Sequence, residues 1–128
     1  MDSRESARPP RRRLRTLARP AQFRYCYDGG RKLVTRHSVV FVRPPAGPDG
    51  VRVGVVASRK VGGAVERNRA KRLLREAARQ FVHRLMDRHM WIVLVAKASI
   101  VDRNAHDVQD DIERALASHG LLDAEDIE

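Results

Sequence analysis

The clearest hydrophobic pattern in the 128-residue chain is that of a long amphipathic helix over residues 64–86. At 100° per residue, its apolar positions from Ala70 to Leu85 fall within about 140° of one face, and asparagine and basic residues occupy most of the rest. A second, shorter pattern with the same period predicts a helix over residues 108–117. Each helix is therefore expected to bury one apolar face.

Apolar residues, many of them β-branched, dominate three further segments, which are predicted to form strands. Residues 32–43 and 51–57 are separated by a run of prolines and glycines, which predicts antiparallel strands joined by a loop. Residues 91–96 form a continuous apolar run, as is typical of a buried strand. Residues 18–28, with Pro20 near their start and two glycines at their end, are predicted to be a short helix. The predicted order is helix, three strands, long helix, strand, helix.

One hydrophobic core is expected, because the chain has the length of a single domain and 42% apolar residues. Residues 1–13 offer almost nothing to bury and are predicted to be a disordered basic arm, followed by a domain over 14–118 and an acidic tail over 119–128. No apolar run approaches the roughly 20 residues of a membrane-spanning helix. The N-terminus also lacks the apolar stretch of a secretory signal. A cytoplasmic protein without a membrane partner is therefore expected.

The charge of the chain is unevenly distributed along its length. In total, 26 Lys and Arg residues against 16 Asp and Glu residues give a net charge of +10. Residues 99–128 carry −7, so residues 1–98 carry +17. A basic body of this charge attracts polyanions, of which nucleic acid is the commonest in the cytoplasm.

The positive charge is concentrated at residues 58–79, where eight basic residues and two glutamates give +6. Four of the basic residues are four positions apart and repel one another by about 0.2–0.5 kcal/mol per pair, a cost that a bound polyanion removes. Gly62 and Gly63, just before the helix, could let backbone amides approach phosphate, although a simple strand-to-helix turn explains them equally well. The pattern predicts that this helix binds nucleic acid.

Aromatic residues near the N-terminus form a second candidate site. Phe23 and Tyr27 lie one helical turn apart beside Arg24, and single-stranded nucleic acid is commonly held by aromatic rings in basic surroundings. Ordinary core packing is the alternative for Phe23. Phe81 and Trp91 are expected to be core residues.

A nuclease with its own protein-based active site is the rival interpretation, and it would need carboxylates that converge on metal ions. Within the predicted domain, the only dense group of acids is Asp107, Asp110, Asp111 and Glu113, and its aspartates suit the first turn of a helix. The five histidines lack the spacing of metal ligands. The lone Cys26 is expected to be a small buried apolar residue. No catalytic or metal-binding residue is therefore predicted in this chain.

The segment from Ala57 to Glu76 resembles the signature of the protein component of bacterial ribonuclease P. It reads ASRK, then VG, and after one further glycine AVERNRAKRLLRE. The family's signature is a strand ending in V-S-[RK]-K, a Val/Ile-Gly turn, and A-V-x-R-N-R-x-K-R followed by two hydrophobic residues, Arg, and Glu or Gln. Phe23, Tyr27 and Gly30 are similar to the family's first-helix pattern. The resemblance extends from about residue 14 to residue 118.

The resemblance implies an α+β fold. The family forms a two-layer sandwich of a four-stranded sheet with helices, in the order αβββαβα, with a left-handed strand–helix–strand crossover through the long helix. General rules for chain connections would have predicted the common right-handed crossover.

The resemblance also implies a function, that of a subunit in a ribonucleoprotein whose catalytic RNA binds Mg²⁺ and removes the 5′ leader of precursor tRNA. No cofactor intrinsic to the protein and no small-molecule substrate are implied. A ribosomal or DNA-binding protein without a role in cleavage is the alternative, although no short helix precedes the long one as a helix-turn-helix requires. The residues implied to meet the catalytic RNA are Arg59, Lys60, Arg67, Asn68, Arg69, Lys71, Arg72 and Arg75, and those implied to line a cleft for the leader are Phe23, Arg24, Tyr27 and Phe41.

Overall fold

Three helices and four strands follow one another in the predicted order αβββαβα within residues 14–122, which are the residues that the computed structural model describes. The predicted basic arm, residues 1–13, and the last part of the predicted tail, residues 123–128, lie outside this range. Two short 3₁₀ helices, Val82–Arg84 and Ala98–Asp102, follow the long helix and the last strand. The main elements are α1 (Pro20–Gly29), β1 (Arg31–Val34), β2 (Ser38–Arg43), β3 (Val51–Val56), α2 (Ala64–Phe81), β4 (Met90–Ala96) and α3 (Ala105–Ser118).

The four strands form one mixed sheet in the order β1-β2-β4-β3. A turn at residues 35–37 divides the predicted segment 32–43 into the β1–β2 hairpin, in which Leu33 lies opposite Val40. β4 is antiparallel to β2 and parallel to β3. The two strands joined by the loop at residues 44–50 therefore run in opposite directions as predicted, but β4 separates them. The α+β prediction is confirmed.

The crossover from β3 to β4 passes through α2, as the resemblance implied. These two strands are parallel neighbours, with Val53 opposite Ile92. Parallel neighbours cannot be joined by a tight turn, and an amphipathic helix is the usual connection. The left hand of this crossover stays a prediction.

The apolar faces of α2 and α3 pack against one face of the sheet and form the main core. Fully buried side chains from α2, α3 and the sheet meet there, among them Leu74, Phe81, Ile92, Leu94 and Ile112. The opposite face of the sheet is covered in part by the short α1, which encloses a second cluster of Leu17, Cys26, Trp91 and Val93. Phe81, Trp91 and Cys26 are thus buried, as predicted.

α2 ends at Phe81, five residues before the predicted end. After the 3₁₀ turn the chain becomes extended at Leu85, which pairs with Leu122, and the Met86 amide donates to the carbonyl of Leu121. Leu122 is only 3% exposed. The folded unit therefore extends beyond the predicted boundary at residue 118, because the chain after α3 returns to close the core.

α3 begins three residues before its predicted start at residue 108. The side-chain oxygen of Asn104 accepts a hydrogen bond from the Asp107 amide at 2.8 Å, which caps the first turn. None of the helices within residues 14–122 is long and apolar enough to cross a membrane.

The position of α1 is fixed at its start by the residues that precede it. Thr16 pairs with Val53 at the outer edge of β3, and the Leu17 amide donates to the Val53 carbonyl at 3.1 Å. Leu17 is buried against the sheet. α1 consequently begins beside β3 and packs on the face of the sheet opposite α2 and α3.

Candidate nucleic-acid interface

α1 leaves part of its sheet face open to solvent. Val34, Val39, Val95 and Val56 are successive register partners across all four strands and therefore form one row on this face. Val34 is 62% exposed and the other three are half-buried. The row lies next to aromatic residues of α1 and β2. We call this valine row, together with Phe23, Tyr27 and Phe41, the α1 cleft.

Phe23 lies directly on the backbone of β3. A Cβ atom placed on Gly54 would be 2.5 Å from Cε1 of the Phe23 ring, so the ring occupies the space that a side chain at position 54 would fill. Glycine in a strand often marks such a close approach. Phe23 is half-buried. The Phe23 ring therefore packs against the sheet and is also partly accessible. It has features of both the core residue and the binding residue that the sequence allowed.

Tyr27 and Phe41 form the second aromatic contact of the cleft. Their ring centroids are 4.9 Å apart with an interplanar angle of 74°, an edge-to-face arrangement. Tyr27 is 39% exposed, and Arg24 is exposed on the same helix. The structure thus brings the three predicted aromatic residues to one side of α1.

Lys32 is a residue of this surface that the sequence interpretation missed. It lies on β1 directly opposite Phe41 and is exposed. The valine row was missed as well. Strand alternation would have placed Lys32 and Val34 on the face of Phe41, but only once the turn at residues 35–37 was located.

The C-terminal half of α1 is held to the sheet by Tyr25 and Cys26. The Tyr25 ring packs edge-to-face on Trp91 with centroids 5.5 Å apart, and its hydroxyl donates to the Pro44 carbonyl at 2.8 Å. Cys26 is fully buried between helix and sheet, and this burial raises the pKa of its thiol, although the charge of Arg43 opposes the shift. The thiol is therefore a packing group and not an activated nucleophile.

The two glycines before α2 serve the turn from strand to helix. Gly62 has a φ of +146°, and a Cβ there would lie 2.8 Å from Cβ of Glu66. The Glu66 carboxylate accepts a hydrogen bond from the Gly63 amide at 2.9 Å. Since Glu66 already occupies that amide, the structure favours the turn interpretation of the glycine pair over a phosphate site.

Most of the residues predicted to meet RNA lie on the loop before α2 and on one side of its first three turns. Arg59, Lys60, Asn68 and Arg72 are exposed, whereas Lys71 and Arg75 are half-buried. Arg67 is also half-buried, and it donates to the carbonyl of Gly62 at 3.0 Å. We call these seven residues the basic surface.

Arg69 is the predicted residue that the structure places apart from the basic surface. Its guanidinium donates to the carbonyl of Val101 at 3.0 Å and to that of Arg103 at 3.2 Å. These bonds fasten the 3₁₀ helix that follows β4 to the side of α2. A direct contact between Arg69 and RNA stays a prediction.

The α1 cleft and the basic surface are joined by β3. This strand passes under Phe23 at Gly54, contributes Val56 to the valine row, and continues directly into Arg59 and Lys60. An extended polyanion with apolar bases could therefore contact both surfaces without a break.

The acidic residues near α3 do not converge on one site. Asp111 pairs with Arg36 at 3.0 Å, and Asp110 pairs with Arg114 at 3.2 Å. Glu113 is buried and accepts hydrogen bonds from Arg84 and Gln109, and Asp107 lies in the first turn of α3. Within residues 14–122, no group of three His, Cys, Asp or Glu side chains could hold a metal ion.

Known proteins resemble this chain in both sequence and fold. A family model for ribonuclease P matches residues 11–120. The ribonuclease P protein component of Chloroflexus aurantiacus is 38% identical over 113 residues, covering 88% of this chain and 83% of the relative. That of Symbiobacterium thermophilum is 37% identical over 103 residues, covering 80% and 89%.

Two solved structures have the same fold at lower sequence identity. The RNase P protein of Staphylococcus aureus superposes with a TM-score of 0.73 at 24% identity, covering 87% of this chain and all of the other. The RNase P protein of Thermotoga maritima superposes with a TM-score of 0.68 at 24% identity, covering 80% and 96%. Taken with the family match over most of the chain, these findings establish that this protein belongs to the bacterial ribonuclease P protein family.

Proposed function

We propose that this ribonuclease P subunit contacts the catalytic RNA through the basic surface and receives the 5′ leader of precursor tRNA in the α1 cleft. Family membership makes it the protein subunit of a ribonucleoprotein and disfavours a ribosomal or DNA-binding role. The observation that carries the proposal is the continuity of the two surfaces along β3, from Gly54 beneath Phe23 to Arg59 and Lys60.

The chemistry of the α1 cleft suits a single strand. Its aromatic rings are accessible at Tyr27 and Phe23, and every nucleobase has a face that can stack on such a ring. Arg24 and Lys32 are exposed near the rings and can neutralise phosphates of the same strand. A face of valines and aromatic rings distinguishes no particular base, so binding is expected to tolerate many leader sequences.

The chemistry of the basic surface suits the phosphates of a folded RNA. Exposed Arg72, Arg59 and Lys60 offer charge-assisted hydrogen bonds, and Asn68 adds a neutral donor and acceptor beside them. This surface has no exposed aromatic residue. Sequence-independent contact with an RNA backbone is therefore its expected role.

Cleavage itself is assigned to the partner RNA and its Mg²⁺. The carboxylates that a protein nuclease would use are engaged with arginines, as in the Asp111–Arg36 and Asp110–Arg114 pairs. This subunit then neutralises phosphate charge and positions the substrate. A location in the cytoplasm, where tRNA is made in bacteria, stays part of the proposal.

The proposal is tested by comparing precursor and mature tRNA as ligands of the reconstituted complex of protein and catalytic RNA. The complex is expected to bind precursor tRNA more tightly than mature tRNA, and the RNA without protein is expected to show little difference. Equal affinities of the complex for both tRNAs would exclude leader binding by this subunit.

A further inference from the structure

We infer that Arg43 is a positioning residue, which holds α1 in place over the sheet and thereby sets the shape of the α1 cleft. The absence of a side chain at Gly29 leaves the space that the Arg43 guanidinium occupies. The inference rests on the proposed leader binding, because the cleft is defined by side chains of α1. No leader contact is assigned to Arg43 itself.

Arg43 makes three separate contacts with α1. One guanidinium nitrogen donates to the carbonyl of Tyr25 at 2.7 Å, and the guanidinium carbon lies 3.8 Å from the centroid of the Tyr25 ring. The guanidinium also packs against Gly29, where a Cβ atom would be 2.2 Å from Cζ of Arg43. A single side chain of β2 thus joins the middle and the end of the helix.

α1 depends on its contacts with the sheet, and Arg43 adds a charged contact to the aromatic and apolar ones. It is ten residues long, and an isolated helix of that length is marginal in water. Cys26 is its only fully buried residue. Its last turn contains no basic residue of its own, so the positive charge of Arg43 is what faces the negative end of the helix dipole.

Arg43 acts on the cleft from outside it. It lies at the end of β2 opposite Trp91, two residues beyond Phe41 and four beyond Val39 of the valine row. Tyr27, which contacts Phe41, is on the helical turn that Arg43 clamps. A shift of this turn would separate the Tyr27 ring from Phe41 while leaving the sheet intact.

Gly29 provides a test that does not remove the arginine. Alanine favours helix more than glycine does, so Gly29→Ala should not unfold α1. Its methyl group would, however, occupy the position of the guanidinium, which is the free end of a flexible side chain and can move away at low cost. The variant is therefore expected to release the clamp without a large loss of stability.

The experiment uses the full chain and its complex with the catalytic RNA. Two quantities are measured for each protein: the ratio of the dissociation constants for mature and precursor tRNA, and the rate at which a disulfide reagent modifies Cys26, the only cysteine. The variants are Arg43→Ala, Gly29→Ala and the double variant. The matched control is Arg31→Ala, which removes the same charge from the neighbouring strand but loses only a bond to the carbonyl of His119.

The expected result is a roughly three- to tenfold fall of the binding ratio in both single variants, comparable to the loss of a cation–π contact. Cys26 should react faster in both, because α1 opens more often. The double variant should resemble Arg43→Ala, since Gly29→Ala acts through the arginine. Arg31→Ala should leave both quantities unchanged.

Two results would overturn the inference. One is a wild-type binding ratio that persists in Arg43→Ala and Gly29→Ala; the other is an equal fall in Arg31→Ala, which would reduce the effect to net charge. If the wild-type complex itself shows no preference for precursor tRNA, the proposed leader binding fails, while the thiol rates still report whether Arg43 holds α1.

Discussion

At the scale of single residues, Asp49 connects its own loop and the start of β3 to two distant parts of the chain, the segment before α1 and the start of β4. Its carboxylate accepts hydrogen bonds from Arg52 at 2.6 Å, from Arg15 at 3.2 Å and from the Trp91 indole at 3.2 Å. Its backbone carbonyl contacts His89. The hydrogen bond from Arg52 is the main cause that lowers the pKa of this carboxyl below its usual value of 3.8.

This lowered pKa predicts a dependence of stability on pH. A carboxyl with a lower pKa in the folded state stabilises the fold above its unfolded pKa, and this contribution is lost as pH falls through the folded pKa. Asp49→Asn should therefore lower the melting temperature at pH 7. The difference from wild type should shrink as the pH is lowered below about 4. A difference that stays constant from pH 7 to pH 3 would contradict the assignment.

Phe23 and Gly54 give a second prediction at this scale. Phe23→Ala should weaken binding of precursor tRNA by roughly fivefold or more, because stacking contributes about 1–3 kcal/mol per base. Mature tRNA binding should not change. Since the ring is half-buried, the loss of stability should stay below the about 3–5 kcal/mol of a fully buried phenylalanine.

A second variant, Gly54→Ala, keeps the Phe23 ring but displaces it from β3. It should also reduce the preference for precursor tRNA. A large drop in the melting temperature of Phe23→Ala, without any effect on the preference, would make Phe23 a core residue only.

At the scale of secondary structure, α2 carries two kinds of arginine that the sequence does not separate. Arg72 is exposed on the basic surface, whereas Arg69 bonds two carbonyl groups of the segment after β4. Both belong to the same R-N-R-x-K-R signature. Only the structure shows that one of them holds an element in place.

This difference predicts opposite outcomes for neighbouring substitutions. Replacing Lys71 and Arg72 by alanine should flatten the salt dependence of RNA affinity, because its slope counts neutralised phosphates. The melting temperature should stay nearly unchanged. Arg69→Ala should instead cost about 1–3 kcal/mol of stability through the unpaired carbonyl groups.

These outcomes are distinguished by measuring RNA affinity at several salt concentrations and the melting temperature of each variant. Arg114→Ala on α3 is the matched control, since it removes an exposed arginine whose partner is Asp110. An unchanged slope in the Lys71 and Arg72 variant would place the RNA contact elsewhere on the protein.

The sequence predicts those elements whose pattern is local. The period of α2 is visible because its buried residues, from Ala70 to Phe81, recur on one face. Its end at Phe81 was not predictable, since that end depends on Leu85 pairing with Leu122 from the other side of the domain. For the same reason the insertion of β4 between β2 and β3 could not be read from the strands themselves.

The candidate site also has one part that follows from local sequence and one part that depends on contacts between distant segments. The basic surface lies on one helix and its preceding loop, so counting charges along the sequence found it. The α1 cleft depends on which strands are neighbours, and Val34, Val95 and Lys32 join it only through that register. Phe23 and Tyr27 were predicted because they are one helical turn apart, whereas Phe41 was implied only by the family resemblance.

At the scale of the whole molecule, the net charge of +17 on residues 1–98 predicts the effect of the protein on its RNA. Bringing a leader against a catalytic RNA costs electrostatic repulsion, which the protein and Mg²⁺ both reduce. Adding the protein should therefore lower the Mg²⁺ concentration at which the RNA cleaves precursor tRNA. The protein alone should cleave nothing.

The measurement is the cleavage rate against Mg²⁺ concentration for protein, RNA and their mixture. Cleavage by protein free of RNA, abolished when Asp110 and Asp111 are replaced by asparagine, would instead assign the chemistry to the protein. In the structure both aspartates pair with arginines, so the melting temperature of this variant also shows whether those pairs stabilise the fold.

The central place of β4 in the sheet has a consequence for the order of folding during synthesis. β4 is the last strand to leave the ribosome, yet it lies between β2 and β3. The β1–β2 hairpin can form early, because its contacts are local, but β3 has no strand to join until residues 90–96 are available. A chain that stops short of them exposes two unpaired strand edges and the basic α2 segment together. Truncation before the end of β4 is therefore expected to abolish the fold as a whole and not a single contact with RNA.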